Sequence, residues 1–221
     1  MIWSDLPLAY FDLETTGVDP KTCRIVTACV GRVDGSTTTS TKWLADPGVE
    51  IPESAAKIHG ITTEHARTHG RPHVEVVHEV VAELRECWKE GRAIAIYNAA
   101  YDLTVLHTQT GGKFTVDGPV VDPFVLITEF DKRTGNRRLA TVCERYGITL
   151  GDAHNAEADA LAAARLAWKI PRVFPILALV GTDELMRQQA ALYRRHQQQA
   201  QARQQPYRSG GSLNTSWPIA A

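Results

Sequence analysis

Five residues of this chain, Asp12, Glu14, Asp102, His154 and Asp159, combine side-chain types and spacings that could do chemistry. They fall in three separated patterns: YFDLETTG at 10–17, YNAAYDLTVL at 97–106 and HNAEADALAA at 154–163. Asp12 and Glu14 sit on alternate positions at the end of an apolar, aromatic-rich run, so on a strand their carboxylates share a face. Two carboxylates side by side on a buried strand repel each other and lose hydration, a situation that a hard divalent cation relieves. Each pattern alone has a plainer reading: the pair as a turn cap and an edge acid, Asp102 as a helix-dipole cap, His154 as an ordinary loop residue. Taken together, four carboxylates and one histidine suit divalent-metal chemistry at a phosphate ester, with the histidine able to take a proton near neutral pH.

The elements that must position these groups are legible around them. Leu8 to Leu13 reads as a buried strand closed by Thr15, Thr16, Gly17 and the Asp19-Pro20 turn. Residues 92–97 read as a second strand ending at Asn98, followed by a helix over 100–110 with Asp102 in its first turn. Asp159 falls in an alanine-rich helix over 157–169, whose stripe of Ala158, Leu161, Ala162, Arg165 and Leu166 is expected to pack on a sheet. Further strands are expected near 24–33 and 36–45, joined as a hairpin around Asp34-Gly35, and near 120–122. Further helices are expected near 53–59, 62–68, 73–90, 123–130 and 138–146. Val74, Val77, Val80, Val81, Leu84 and Trp88 supply the apolar stripe of the longest of these.

The ordered conjunction of the three patterns resembles the DEDDh class of 3′-to-5′ exonucleases, the group that contains the proofreading epsilon subunit of bacterial DNA polymerase III and ribonuclease T. Asp12 and Glu14 match the first motif, Asp102 the second, and His154 with Asp159 the H-x4-D form of the third; Lys57 to Thr62 looks like the short helix and turn after the third strand. The resemblance covers roughly residues 7–170. It implies an α/β fold, a ribonuclease H-like mixed five-stranded sheet flanked by helices. It also implies two divalent ions, Mg²⁺ or Mn²⁺, with Asp12, Glu14 and Asp159 on the ion that activates water, Asp12 also reaching the second, and Asp102 serving the second. His154 takes the part of general base. Leu13, Thr15, Thr16 and Gly17 correspond to the pocket for the terminal nucleotide, and His59, Asn98 and Tyr101 are further substrate contacts by the same correspondence. Tyr97 and Tyr101 depart from the residues frequent in relatives, histidine and phenylalanine, while remaining aromatic. The expected substrate is a nucleic acid, single-stranded DNA at its 3′ end, because bases must be unstacked to enter such a pocket.

Composition bounds the remainder. With 221 residues and 43% apolar content the chain can bury one α/β core. No run approaches the roughly 18 apolar residues of a membrane span. Residues 1–5 lack the basic and apolar regions of a secretory signal, so the expectation is a cytoplasmic protein with no membrane partner. Cys23, Cys29, Cys87 and Cys143 lack the close spacing of metal ligands and read as reduced structural thiols. Residues 185–221 hold five arginines and no acid, leaving 19 basic against 25 acidic residues in the preceding chain. An acidic body of this kind meets a polyanion through its metals and local basic spots, of which Lys132, Arg133, Arg137 and Arg138 form one candidate and a solvated turn the plainer reading.

Three segments are expected: the exonuclease domain at 1–170, a C-terminal helical extension at 171–205 and a flexible tail at 206–221. Pro171 and Pro175 mark the first change and Ser-Gly-Gly-Ser the second. The extension could carry a polymerase or other replication partner. Gln189 to Tyr193 loosely resembles a sliding-clamp-binding peptide, yet Leu185, Leu192 and Tyr193 also have helical spacing for packing on the body. The functional expectation is DNA hydrolysis from the 3′ end to nucleoside 5′-monophosphates in proofreading or repair. The alternatives are an RNA-trimming exoribonuclease and a non-catalytic, polymerase-associated scaffold.

Overall fold

A computed structural model describes residues 1–133, 135–151, 155–204 and 215–220, with 203 and 204 described for backbone only. Six strands form one mixed sheet: β1 (Leu8–Thr15), β2 (Ile25–Asp34), β3 (Thr37–Asp46), β4 (Arg71–Pro72), β5 (Ala93–Ala95) and β6 (Val120–Val121), in the order β4-β3-β2-β1-β5-β6. The β1, β2, β3 meander is antiparallel, while β5 joins β1, β6 joins β5 and β4 joins β3 in parallel. The fold is ribonuclease H-like, as the resemblance implied, with one strand more than expected. That strand, β4, has two exposed residues, and Gly70 makes it possible: a Cβ there would stand 2.3 Å from the Ala66 carbonyl oxygen and 2.5 Å from the Asp46 nitrogen.

The β2–β3 turn falls where the sequence places it, with Asp34 opposite Thr37 and Gly35 at φ +65°. Among the described residues eight α-helices flank the sheet: α1 (Glu53–His59), α2 (Thr63–His69), α3 (His73–Lys89), α4 (Ala99–Gln109), α5 (Pro123–Phe130), α6 (Leu139–Arg145), α7 (Ala156–Val173) and α8 (Thr182–Gln204). Helix α3 covers one face through Val76, Val77, Val80, Val81, Leu84 and Trp88, whereas Val74 is exposed. Helix α7 covers the other face. Its buried side is Ala160, Ala163, Ala164, Ala167 and Ile170, with Ala162 and Leu166, rather than the expected stripe, since Ala158 and Leu161 are half-buried and Arg165 is exposed. The short side chains let α7 lie close on β1 and β2. It also runs through Pro171, which sits in its last turn, where the missing N–H and the ring end a helix rather than break one.

The C-terminal segment is joined to this body at several points. The Trp3 N–H donates to Val180, its indole to Leu177 at 2.7 Å, and the Thr182 N–H donates to Met1. Leu185, Gln189 and Tyr193 of α8 are buried, which supports packing on the body over an exposed peptide motif. Trp217 is buried as well and Ile219 packs on the same core, so the part of the expected flexible tail that the structure describes is docked; 205–214 and Ala221 lie outside the described residues. All four cysteines are free and buried, and burial pushes the Cys29 thiol up to about 12 and those of Cys87 and Cys143 to about 11. No described helix is long and apolar enough to cross a membrane.

Candidate active site

The acids gather where β1 runs out beside α4 and α7. Strand alternation puts Asp12 and Glu14 on the α7 side of β1, and the first turn of α7 brings Asp159 to them: one carboxylate oxygen from each of the three lies within 4.8 Å of the others. All three are half-buried. Burial, together with the charges of Asp102, Glu14 and Asp159, holds the Asp12 carboxyl well above the usual carboxylate range. Burial and Asp159 push Glu14 up to about 7. Among the described residues nothing around these two acids pulls them the other way, so they are arranged at an electrostatic cost that a positive charge would remove. Carboxylate oxygens grouped at this distance fit a hard divalent ion, which prefers several such oxygens completed by water or phosphate.

Asp102 is set differently. It is almost fully buried in the first turn of α4, and its Oδ1 accepts the Leu13 N–H at 3.1 Å, which ties α4 to the strand segment between Asp12 and Glu14. Burial raises its pKa well above normal, opposed by backbone hydrogen bonds and reinforced by Asp122 and Glu14. His154 lies outside the described residues, as do Asp152 and Ala153; the neighbouring Asn155 caps α7, its side chain accepting the Glu157 N–H at 3.0 Å.

The expected nucleotide contacts separate into two groups. Leu13, Glu14, Thr15, Gly17, His59, Asn98 and Tyr101 line one cleft of about 480 Å³, with Val18 and Ile58 on its rim. Thr16 is not in its wall: it is buried, exchanging backbone and hydroxyl hydrogen bonds with Arg24 that pin the end of β1. The Tyr101 ring faces the cleft while its hydroxyl is 2.6 Å from Thr15 Oγ1 and donates to the Gly17 carbonyl at 2.5 Å, fixing the loop in its bend. His59 Nδ1 accepts the Ile61 N–H, and burial lowers the ring's pKa, which favours the neutral form. Glu14 and His59 also border a second hollow, which contains Lys42 and Glu157, so these two side chains form a ridge between two clefts. Of the candidate basic spot, Arg133 is exposed but paired with Asp131 at 2.8 Å and lying over the Tyr146 ring, and Arg137 donates to backbone carbonyls.

One residue that the sequence reading passed over is central. Asp122 is fully buried, caps α5, and accepts the N–H groups of Asn98 at 3.0 Å and Ala99 at 2.9 Å, the turn from which α4 springs. Asn98 needs that support, since it holds φ +66°, a conformation few residues other than glycine adopt. An available signal was the Asp122-Pro123 pair, a capping acid followed by proline at the first helical position.

A ribonuclease H-like sheet with carboxylates from β1 and from two flanking helices converging at one edge is the architecture of a nuclease. Residues 10–167 match the RNase T family model, described as exonuclease, and the chain belongs to that family. DNA polymerase III of the PolC type from Halalkalibacterium halodurans is 28% identical over 170 residues, covering 75% of this chain and 11% of that protein. The enzyme of the same name from Listeria welshimeri is 28% identical over 169 residues, with the same coverage. The chain thus spans 11% of the length of these curated relatives. Among solved structures, Exonuclease I of E. coli in complex with a dT13 oligonucleotide superposes with a TM-score of 0.61 at 20% identity, over 78% of this chain and 43% of that one. Exonuclease X in complex with 5′ overhanging duplex DNA superposes with a TM-score of 0.59 at 17% identity, over 80% and 96%. These two share the fold.

Proposed function

We propose that the protein is a metal-dependent exonuclease that shortens DNA from its 3′ end and releases nucleoside 5′-monophosphates. The observation that carries the reading is the convergence of Asp12, Glu14 and Asp159 beside a cleft that Glu14 lines together with Leu13, Thr15, Gly17 and Tyr101. Asp12, Glu14 and Asp159 would hold one divalent ion, Mg²⁺ or Mn²⁺, and Asp12 with Asp102 would hold a second. When bound, such ions supply an activated water and neutralise the charge that develops on the phosphate oxygens. His154 takes the proton of the attacking water at a ring nitrogen, which requires its neutral form, a task to which histidine as a residue type is suited at neutral pH. The loop from Leu13 to Gly17, braced by Tyr101, receives the terminal nucleotide. The neutral His59 ring lies at the ridge where the scissile phosphate passes from one cleft to the other. The DNA-bound structural neighbours favour DNA over RNA as the polymer. The expected setting is proofreading or repair, with a polymerase as partner in trans, and the domain proposed to carry the chemistry is 1–170.

The test is digestion of matched 3′-labelled and 5′-labelled single-stranded DNA and RNA oligonucleotides with Mg²⁺ or Mn²⁺. Laddering from the 3′ end of DNA that requires metal and vanishes in Asp12→Ala is the expected result. Faster digestion of RNA than DNA overturns the substrate, and no cleavage of either polymer overturns the activity.

A further inference from the structure

Helix α4, which carries Asp102, is gripped by residues that lie outside the segment matched by the exonuclease family. Its entry turn hangs on Asp122, whose carboxylate takes the Asn98 and Ala99 N–H groups. Asp122 is in turn held from the C-terminal segment. The Gln189 side chain, fully buried, accepts the Asp122 N–H at 2.7 Å and donates to the Val120 carbonyl at 2.8 Å. One primary amide thereby satisfies the edge of β6 as a further strand would, in a place where bare backbone groups would be buried. The Trp217 indole N–H points at Asp122 Oδ2 from 3.5 Å, with its ring buried in the core. Two residues past Asp102, the Thr104 hydroxyl accepts the Ala220 N–H at 2.7 Å and donates to the Ala100 carbonyl at 2.5 Å. Asp102 therefore lies between two points of α4 that the C-terminal segment fixes, and its own Oδ1 is committed to Leu13 N on β1.

We propose that Gln189, Trp217 and Ala220 form a clamp that aims Asp102 at the acid cluster, making the C-terminal segment part of the active body rather than an appendage. The three are positioning residues: they reach the site only through Asp122 and Thr104. The proposal rests on the reading that Asp102 serves a bound cation. It reverses what the division into an independent 1–170 domain implies, namely that loss of the C-terminal segment would leave activity on short oligonucleotides intact.

The experiment uses the full chain and two variants, Trp217→Ala and Thr104→Val, the second nearly isosteric and able to fold where the first fails. Mn²⁺ binding is titrated by the loss of its free-ion electron paramagnetic resonance signal, and amide hydrogen exchange is followed over 98–103. Both variants are expected to speed exchange selectively in that stretch and to raise the Mn²⁺ concentration for half-saturation of the weaker site by roughly tenfold, the scale on which groups behind metal ligands act. A variant that melts earlier but keeps both the Mn²⁺ titration and the local exchange of the parent overturns the clamp, because a purely structural role predicts that outcome. Should the parent cleave no nucleic acid, the exonuclease reading falls while these two readouts still decide whether the tail positions α4.

Discussion

Two groups of acid withdrawn from solvent in this molecule are treated in opposite ways. Asp122 is fully buried and surrounded by donors: the N–H groups of Asn98, Ala99, Phe124 and Val125 and the indole of Trp217 all reach it, and its pKa rises only to about 6 despite complete burial. Asp12 and Glu14 are less enclosed, yet they face each other, Asp102 and Asp159, and every influence on them from the described residues favours the neutral form. The difference teaches how to tell a structural carboxylate from one waiting for a ligand. Where the protein supplies the compensating donors itself, the acid is a joint; where it supplies further acids, the compensation must come from outside.

The largest expected effect tests the second half of that contrast. Asp12→Asn should lower exonuclease turnover by a factor on the order of a thousand or more, since a positioned metal ion contributes several kcal/mol to such chemistry. The same substitution should leave the metal-free melting temperature unchanged or raised, because it removes repulsion; a substantial fall would show that Asp12 is a joint after all. Next in size, His154→Ala should reduce turnover by about a hundredfold and flatten the rise in activity expected between about pH 6 and 8. A profile that keeps its slope in the variant removes His154 from the role of base.

Asp122→Ala inverts the pattern of Asp12. It strips a helix cap and leaves several N–H groups buried without an acceptor, so unfolding free energy measured by urea denaturation should fall by about 3 kcal/mol. A loss under about 0.5 kcal/mol would erase the contrast. A smaller effect concerns pH. Glu14 is raised in the folded state from 4.5 to about 7, so folded protein binds more protons than unfolded protein between those values, and stability must fall as pH rises through that window. The metal-free melting temperature should therefore drop by roughly a few degrees from pH 5 to pH 8, and millimolar Mg²⁺ should restore it at pH 8 more than at pH 5. A metal-free protein equally stable at both pH values would mean that the acids are not in conflict. The smallest effect is expected at Lys42, whose pair with Glu157 at 2.9 Å is largely exposed: Lys42→Ala should change stability by less than about 1 kcal/mol.

What the sequence made legible and what it hid divide along the same physical line. Strand β1, helices α3 and α4 and the β2–β3 hairpin were readable because their signals are local: alternation, helical periodicity and a glycine turn. The convergence of Asp12, Glu14 and Asp159 could be anticipated because each lies at the end of such an element. Strand β4 was not readable, since two exposed residues including a proline carry no pattern, and its pairing depends on how closely Gly70 lets the backbone approach β3. The extent of α7 to Val173 is not legible because a proline ordinarily ends a helix before itself, whereas Pro171 is tolerated in the last turn. The partners of Gln189 and Trp217 are hidden for a different reason: they lie 67 and 95 residues away in sequence, and neither a glutamine in a polar helix nor a tryptophan after a glycine-serine stretch announces a long-range hydrogen bond.

The four enclosed thiols make the molecule a reporter of its own opening. Held as neutral S–H groups inside the structure, they can meet a thiol-reactive dye only when the surrounding element parts, so each labelling rate times a separate breathing motion. Cys29 reads the centre of the sheet, Cys87 the underside of α3, Cys143 the α6 flank and Cys23 the loop that follows β1. Single-thiol versions of the chain would thus rank these four neighbourhoods by how often they loosen, with no introduced probe.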